Sequence, residues 1–437
     1  MNYRIAYVTY VMYQSVSQEM QAEAQEAGQT YARLRQRFFD RGFIFADSFI
    51  DGMSAVGNET TQVLYDVEPL QKLWAKENDV SFRQDLWKRD IAIAQLQRFR
   101  PDVVFIQSPN ADTLINLVPD SEFRELCPSV RLVAASSGYP QAPDAVRSID
   151  LLFAGSRAIR AHYRQGGADA QVAYHAFDER IISQLAAYRD AGNGAAALRD
   201  FTFLGSTGCG FGGTHRQRYF DLVHLLAGTS LEIWGFEPVR HQPSLAAPEV
   251  FANASAALHV LMGTMSPPTF TSIYRHILQE CVGSDIPTIP LATLFPDRCY
   301  GPRFGMSMYD QLERSHLTFN RHADASGGDV GNMRMFHATG LSTCLLTDDG
   351  ENISDLFEPD KEVVVYSSVE DCLEKALYLL AHPCEREAIA AAGHRRTMHD
   401  HTYRQRCAMV HDEIVQALHR GRPKSVHHHV ASLRALH

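Results

Sequence analysis

Apolar positions along the chain fall into short runs separated by longer stretches of helical spacing. Residues 3–8 form the first run and predict a strand. Residues 17–41 carry helical spacing and stop at Gly42, a residue common just past a helix end. Residues 87–99 predict an amphipathic helix, and residues 103–107 a buried strand that leads into the polar loop Ser108-Pro109-Asn110. The apolar runs 130–135 and 151–154 repeat this pattern. Apolar strands that alternate with helices predict a parallel sheet covered on both faces.

Residues 178–199 carry no strand signal and hold Ala-Gly-Asn-Gly, which predicts a helix and a connector. A second series follows, with strands at 201–204, 231–234, 317–319, 344–346 and 362–365. Its helices fall at 217–227, 332–339, 369–382 and 385–398. The expected division is a first domain at 1–178, a linker at 179–200, a second domain at 201–401 and a flexible tail at 421–437. Two α/β halves of this kind predict two doubly wound sheets that face a cleft.

Composition narrows the class. A chain of 437 residues suits two domains, or three, at roughly 100–200 residues each. Hydrophobic residues make up 45% and charged residues 21%, which argues against disorder as the main state. The formal net charge is -10, from 41 Lys+Arg against 51 Asp+Glu, and a nucleic-acid partner would call for a basic excess. The local cluster His419, Arg420, Arg422 and Lys424 is expected to be solvated. No apolar run approaches the roughly 18 residues of a membrane span. No charged-then-apolar leader precedes the first strand, so the cytoplasm is the expected compartment. None of the 8 cysteines forms a C-x-x-C pair, and reduced thiols are expected. Histidines 427–429 stand in the tail, and no metal site is expected.

Residues 315–349 carry the most chemistry. A strand ends at Asn320-Arg321-His322, a loop holds Gly327, Gly328 and Gly331, and a helix opens at Asn332-Met333-Arg334. Glycines allow close backbone approach. A helix N-terminus offers unpaired N–H groups and a positive dipole end, which suits a diphosphate. Arg334 adds a possible charge-assisted contact, and the plainer alternative is an exposed loop with a capped helix. Asn320 and His322 lie at a strand end, where ligands bind in open sheets. A second loop, Gly205-Ser206 to Gly213, contains a formal G-x-G-x-x-G at Gly208, Gly210 and Gly213, with Glu232 beyond. The loop is longer than a dinucleotide turn needs, so it is expected to face a ligand cleft, with Arg216 or Arg218 near phosphates.

Several segments together resemble the CgeB-like glycosyltransferases. They are Asn332-Met333-Arg334-Met335-Phe336, Ala338-Thr339-Gly340, Leu345-Leu346-Thr347-Asp348, Leu356-Phe357-Glu358-Pro359 and His401-Thr402-Tyr403. In the first half, Arg37-Phe38-Phe39-Asp40-Arg41-Gly42-Phe43 and His175-Ala176-Phe177-Asp178 are similar as well. The resemblance implies a GT-B fold, with a nucleoside-diphosphate sugar in the second domain and an acceptor in the first. It implies no cofactor, no bound metal, and a last helix, about 402–420, that returns to the first domain. It also implies a place in glycan or glycoprotein assembly. Tyr309 would lie near the base, to stack on it or simply to pack in the core. Relatives carry Glu directly after the Arg-x-Phe segment, where this chain has His337. Either donor choice has shifted, or activity is reduced, or His337 is a packed side chain. The candidates for the base that takes the acceptor's proton are Asp47 first and His175 second. The competing readings are a nucleotide-sugar 2-epimerase of the same fold, a non-catalytic sugar-nucleotide binder, and, more remotely, an NAD-dependent oxidoreductase.

Overall fold

The computed structural model describes residues 1–11, 14–43, 47–109, 114, 118, 120–193, 196–209, 215–236, 264–282, 287, 289–323 and 326–421. Two six-stranded sheets organise the chain. The first joins β1 (Arg4–Thr9), β2 (Glu59–Leu64), β3 (Val103–Gln107), β4 (Leu132–Ser137), β5 (Leu151–Ala154) and β6 (Ala170–Val172) in the order β2-β1-β3-β4-β5-β6. The second joins β7 (Arg199–Ser206), β8 (Glu232–Phe236), β9 (Cys299–Tyr300), β10 (Ser315–Asn320), β11 (Cys344–Asp348) and β12 (Val364–Tyr366) in the order β12-β11-β10-β7-β8-β9. Every pairing is parallel, for example Val8 with Ile106 and Thr318 with Thr202.

The strand sequences explain why both sheets lie between helices. All five residues of β3 and all four of β5 are buried, so these strands have no solvent face to fill with polar residues. The polar run Glu59-Thr60-Thr61-Gln62 was not expected to be a strand, but β2 is an edge, where one side meets water. In each sheet the order reverses at one point, between β1 and β3 and between β7 and β10. Loops leave in opposite directions there and open a crevice at the strand ends.

The expected helix at 17–41 is two helices, Gln14–Glu23 and Tyr31–Asp40. Gly28 takes a left-handed conformation (φ 73°), and Thr30 caps the second helix by accepting from the Arg33 N–H at 3.3 Å. The strand expected at 130–135 runs instead from Leu132 to Ser137. Gly210 and Gly213 of the G-x-G-x-x-G pattern lie outside the described residues, as does the tail from 422 to 437.

The helix Tyr403–Arg420 packs on the first sheet. Its Cys407, Val410 and Ile414 share one core with Tyr7, Phe105 and Phe153. The chain thus crosses between the units at Phe177 and again at Thr402, and these two residues pair in a short parallel bridge. Among the described residues no helix is long and apolar enough to cross a membrane.

Candidate functional site

A cavity of about 510 Å³ lies between the units, at the C-terminal ends of both sheets. The ends of β1, β3, β4 and β6 bring Tyr10, Ser108, Ser137, Tyr174 and His175 to one wall. The end of β7, the loop before residue 305 and the helix Met333–Gly340 bring Gly205, Ser206, Arg303, Met333 and Arg334 to the other.

The opening of the helix Met333–Gly340 is built by hydrogen bonds between neighbouring strand ends. Asn332 is its N-cap, and its Oδ1 accepts from the Met335 N–H at 3.1 Å. The Asn332 Nδ2 donates to Asn320 Oδ1 at 2.9 Å, and Asn320 Nδ2 donates to Thr347 Oγ1 at 3.0 Å. His322 Nε2 accepts from the N–H groups of Gly331 (2.9 Å) and Asn332 (3.1 Å). Two donors on one nitrogen fix the tautomer: the ring proton sits on Nδ1 and is donated to Asp348 Oδ1 at 2.7 Å. Burial works to raise the Asp348 carboxyl, but His322 and Arg321 outweigh it and hold the group below its ordinary value. Asn320 and His322 are therefore braces for the loop, and His322 takes two N–H groups that would otherwise be free to meet a phosphate. Met333 and Arg334, one step further along the first turn, line the cavity.

Gly331 has φ 130°, and a Cβ there would stand 2.6 Å from the Tyr174 ring of the first unit. That ring in turn accepts a hydrogen bond at its hydroxyl from Asn352 Nδ2 at 3.0 Å. The loop is thus pressed against the opposite unit, and only glycine fits between them.

The other expected residues divide into two groups. Gly205 and Ser206 line the cavity. Arg218 does not; its guanidinium donates to the carbonyls of Ser206 and Arg321 and so ties the ends of β7 and β10 together. Arg216 opens the helix Arg216–Gly228 and does not line the cavity, whereas His215, the residue before it, does. Tyr309 is buried in the core and does not line the cavity, and His337 sits edge-on to its ring with centroids 5.1 Å apart. The His337 Nδ1 has no hydrogen-bond partner among the described residues. Burial, with Arg334 and His175 nearby, pushes the His337 ring well below the usual histidine range and keeps it neutral.

His175 lines the cavity, and burial together with the Arg406 guanidinium lowers it to about 4. Asp47 is not on the cavity wall. It pairs with Arg180 at 2.8 Å, and the same guanidinium holds Asp178 at 2.6 Å. Sequence reasoning passed over Arg303, Arg406, Trp234 and Gln107, all of which line the cavity. Arg303 lies over the Trp234 ring at 5.6 Å, and Arg406 lies over the Tyr174 ring at 5.9 Å. The available signal was the spacing Tyr403, Arg406, Val410 on the last helix, which sets three residues on one face.

Residues 281–412 match the family model described as glycosyl transferase-like. No curated protein matches the chain. Among solved structures, an alpha-glucosyltransferase in complex with UDP-glucose and DNA containing an abasic site superposes with a TM-score of 0.52 at 12% identity, covering 95% of this chain and 100% of that one. Sucrose-phosphate synthase from Thermosynechococcus elongatus gives 0.50 at 9%, covering 96% and 100%. A glycosyltransferase from Rickettsia africae gives 0.50 at 9%, covering 95% and 99%. The chain therefore has the GT-B fold of two facing parallel sheets, and its residues 281–412 are glycosyl transferase-like in sequence.

Proposed function

We propose that the protein transfers a hexosyl group from a nucleoside-diphosphate sugar to an acceptor hydroxyl. One observation carries the reading: the glycine-bearing end of β7, the first turn of the helix Met333–Gly340 and the Arg334 guanidinium open on a single cavity between the sheets. In this reading the diphosphate lies against Met333, Arg334 and Arg303. The helix dipole and two fixed cations meet the charge that develops as it leaves, without a bound metal. The acceptor enters from the first unit, where His175 takes its proton. The segment 332–336 favours the CgeB-like group within these enzymes.

The test is thermal unfolding against UDP, GDP, TDP, CDP and NAD. A ligand at about 100 times its dissociation constant stabilises the fold by about 2.7 kcal/mol. UDP is the first choice, since the glucosyltransferase of similar fold holds UDP-glucose. A shift with one nucleoside diphosphate is the expected result. A shift with NAD alone, or with no nucleotide, sinks the reading. Conversion of the donor sugar without acceptor would assign an epimerase instead.

A further inference from the structure

The acceptor side of the cavity runs under the first sheet, between its face and the last helix, and its lining combines aromatic rings with the polar side chains of Tyr10, Ser108 and Ser137. Tyr7, Phe49, Phe105 and Phe153 form a continuous set of rings there, with centroid separations of 4.7 Å (Tyr7–Phe49), 4.5 Å (Phe49–Phe105) and 5.7 Å (Phe105–Phe153). Val410 of the last helix closes the slot. Stacked and tilted rings at such distances offer flat apolar faces. Among the described residues that line the cavity none is Asp or Glu.

One buried polar side chain of this lining stands without a partner among the described residues. Gln107, at the end of β3, is 1% exposed and lines the cavity, yet neither its Oε1 nor its Nε2 has a hydrogen-bond partner among the described residues. A buried amide left unpaired in this way calls for a ligand that both donates and accepts, or for a polar group at one edge of an otherwise apolar one. Arg406 provides a second feature. It lines the cavity beside His175, its Nε is buried without a partner, and no carboxylate pairs with it among the described residues.

We propose that the acceptor is a compact phenol carrying a second polar substituent, its ring between the aromatic side chains, its substituent on Gln107 and its hydroxyl between His175 and Arg406. This rests on the transferase reading and names the acceptor for the same site. The step balances simply. The phenolic O–H breaks and its proton goes to the His175 ring, while Arg406 holds the oxyanion. The phenolate oxygen bonds to the anomeric carbon, the bond from that carbon to the diphosphate oxygen breaks, and the electron pair leaves with the nucleoside diphosphate. The proton on His175 then passes to solvent. A phenol ionises near pH 10, against about 15.7 for water, so its proton costs a neutral imidazole much less to remove than that of an alkyl alcohol, and the Arg406 cation meets the charge left behind.

The probe is 4-methylumbelliferone, a fluorescent phenol with a lactone carbonyl. Its binding is measured by fluorescence without donor, and its transfer with UDP-glucose and the other donors. The expected result is saturable binding that weakens at least tenfold in Val410→Trp, which fills the slot, and in Gln107→Leu, which removes the amide. The nucleoside-diphosphate shift in unfolding should be the same in both variants as in the parent. Gln107→Leu removes an unpaired buried amide, so it keeps the test alive if Val410→Trp does not fold. Binding that is indifferent to both changes overturns the proposal, as does tighter binding of farnesol or maltose than of the phenol. Because the phenol is titrated without nucleotide, its failure is distinguishable from a failure of the donor to bind.

Discussion

Arg334 and His175 carry the sharpest expectations for single residues. Replacing Arg334 by Met keeps its packing beside Met308 and removes the charge. A charge-assisted hydrogen bond is worth about 1.5–3 kcal/mol, so nucleoside-diphosphate affinity should fall by about 10- to 100-fold, read by titration calorimetry. An unchanged affinity would move the diphosphate elsewhere. The His175 ring is held near 4 when folded, against an ordinary 6.5. Between those values the unfolded chain binds more protons, so this contribution to stability is complete above pH 6.5 and is lost as the pH falls toward 4. His337 acts in the same direction. Asp66 and Asp221, both raised to about 6 by burial, act in the opposite one. The informative measurement is therefore the difference between the parent and His175→Gln, by denaturant unfolding from pH 4 to 7.5. The variant should lose less stability on acidification, and parallel curves would contradict the assignment. Of the residues expected to contact the donor, Gly205, Ser206, Met333 and Arg334 line the cavity, and they were legible because a glycine at a strand end and a helix start advertise themselves. Arg303 and Gln107 were not, because an isolated Arg or Gln carries no local pattern; only the fold brings each to the cavity.

At the level of elements, the start of the helix Met333–Gly340 depends on two devices. His322 satisfies two backbone N–H groups, and Gly331 lets the loop touch Tyr174. His322→Ala should cost about 1–3 kcal/mol for each N–H left dry, and should weaken nucleotide binding through a loosened first turn. Gly331→Ala should be destabilising as well, both from its backbone angle and from the overlap with the ring. Trimming the neighbour in Tyr174→Ala should recover part of the second cost, as a double-mutant cycle on melting temperatures would report. Simple additivity of the two changes would deny the contact. The sequence showed the helix, its cap and its glycines plainly. It did not show that His322 serves the loop, because that role depends on strands β10 and β11 standing side by side. The split of residues 17–41 into two helices was readable in Gly28 and Thr30, and was masked by helical spacing that continues across them.

On the scale of the molecule, an ion pair outside the cavity lining joins the two units. Arg157 of the first reaches Asp329 of the second at 2.7 Å, and Asp329 is 4% exposed. Removing the guanidinium in Arg157→Ala leaves a buried carboxylate without its cation, which favours separation of the units. Arg157 is itself 39% exposed, so solvent screens part of the effect. The expected outcome is a larger radius of gyration in solution scattering and weaker donor binding, both restored by Arg157→Lys only in part. An unchanged radius would mean that the remaining contacts hold the units alone.

The return of the helix Tyr403–Arg420 to the first sheet also sets an order in time. That sheet's core holds Cys407, Val410 and Ile414 beside Tyr7 and Phe105, residues far apart in the chain and so made at different times. From Asp178 to Tyr403 the ribosome adds 225 residues, since 403 minus 178 is 225. At about 5–20 residues per second, the first unit waits roughly 11–45 s with one face bare. During that interval it is the part of the nascent chain with most need of a chaperone, and stalled chains ending before residue 403 should be cut by protease within the first unit while released full-length chains resist.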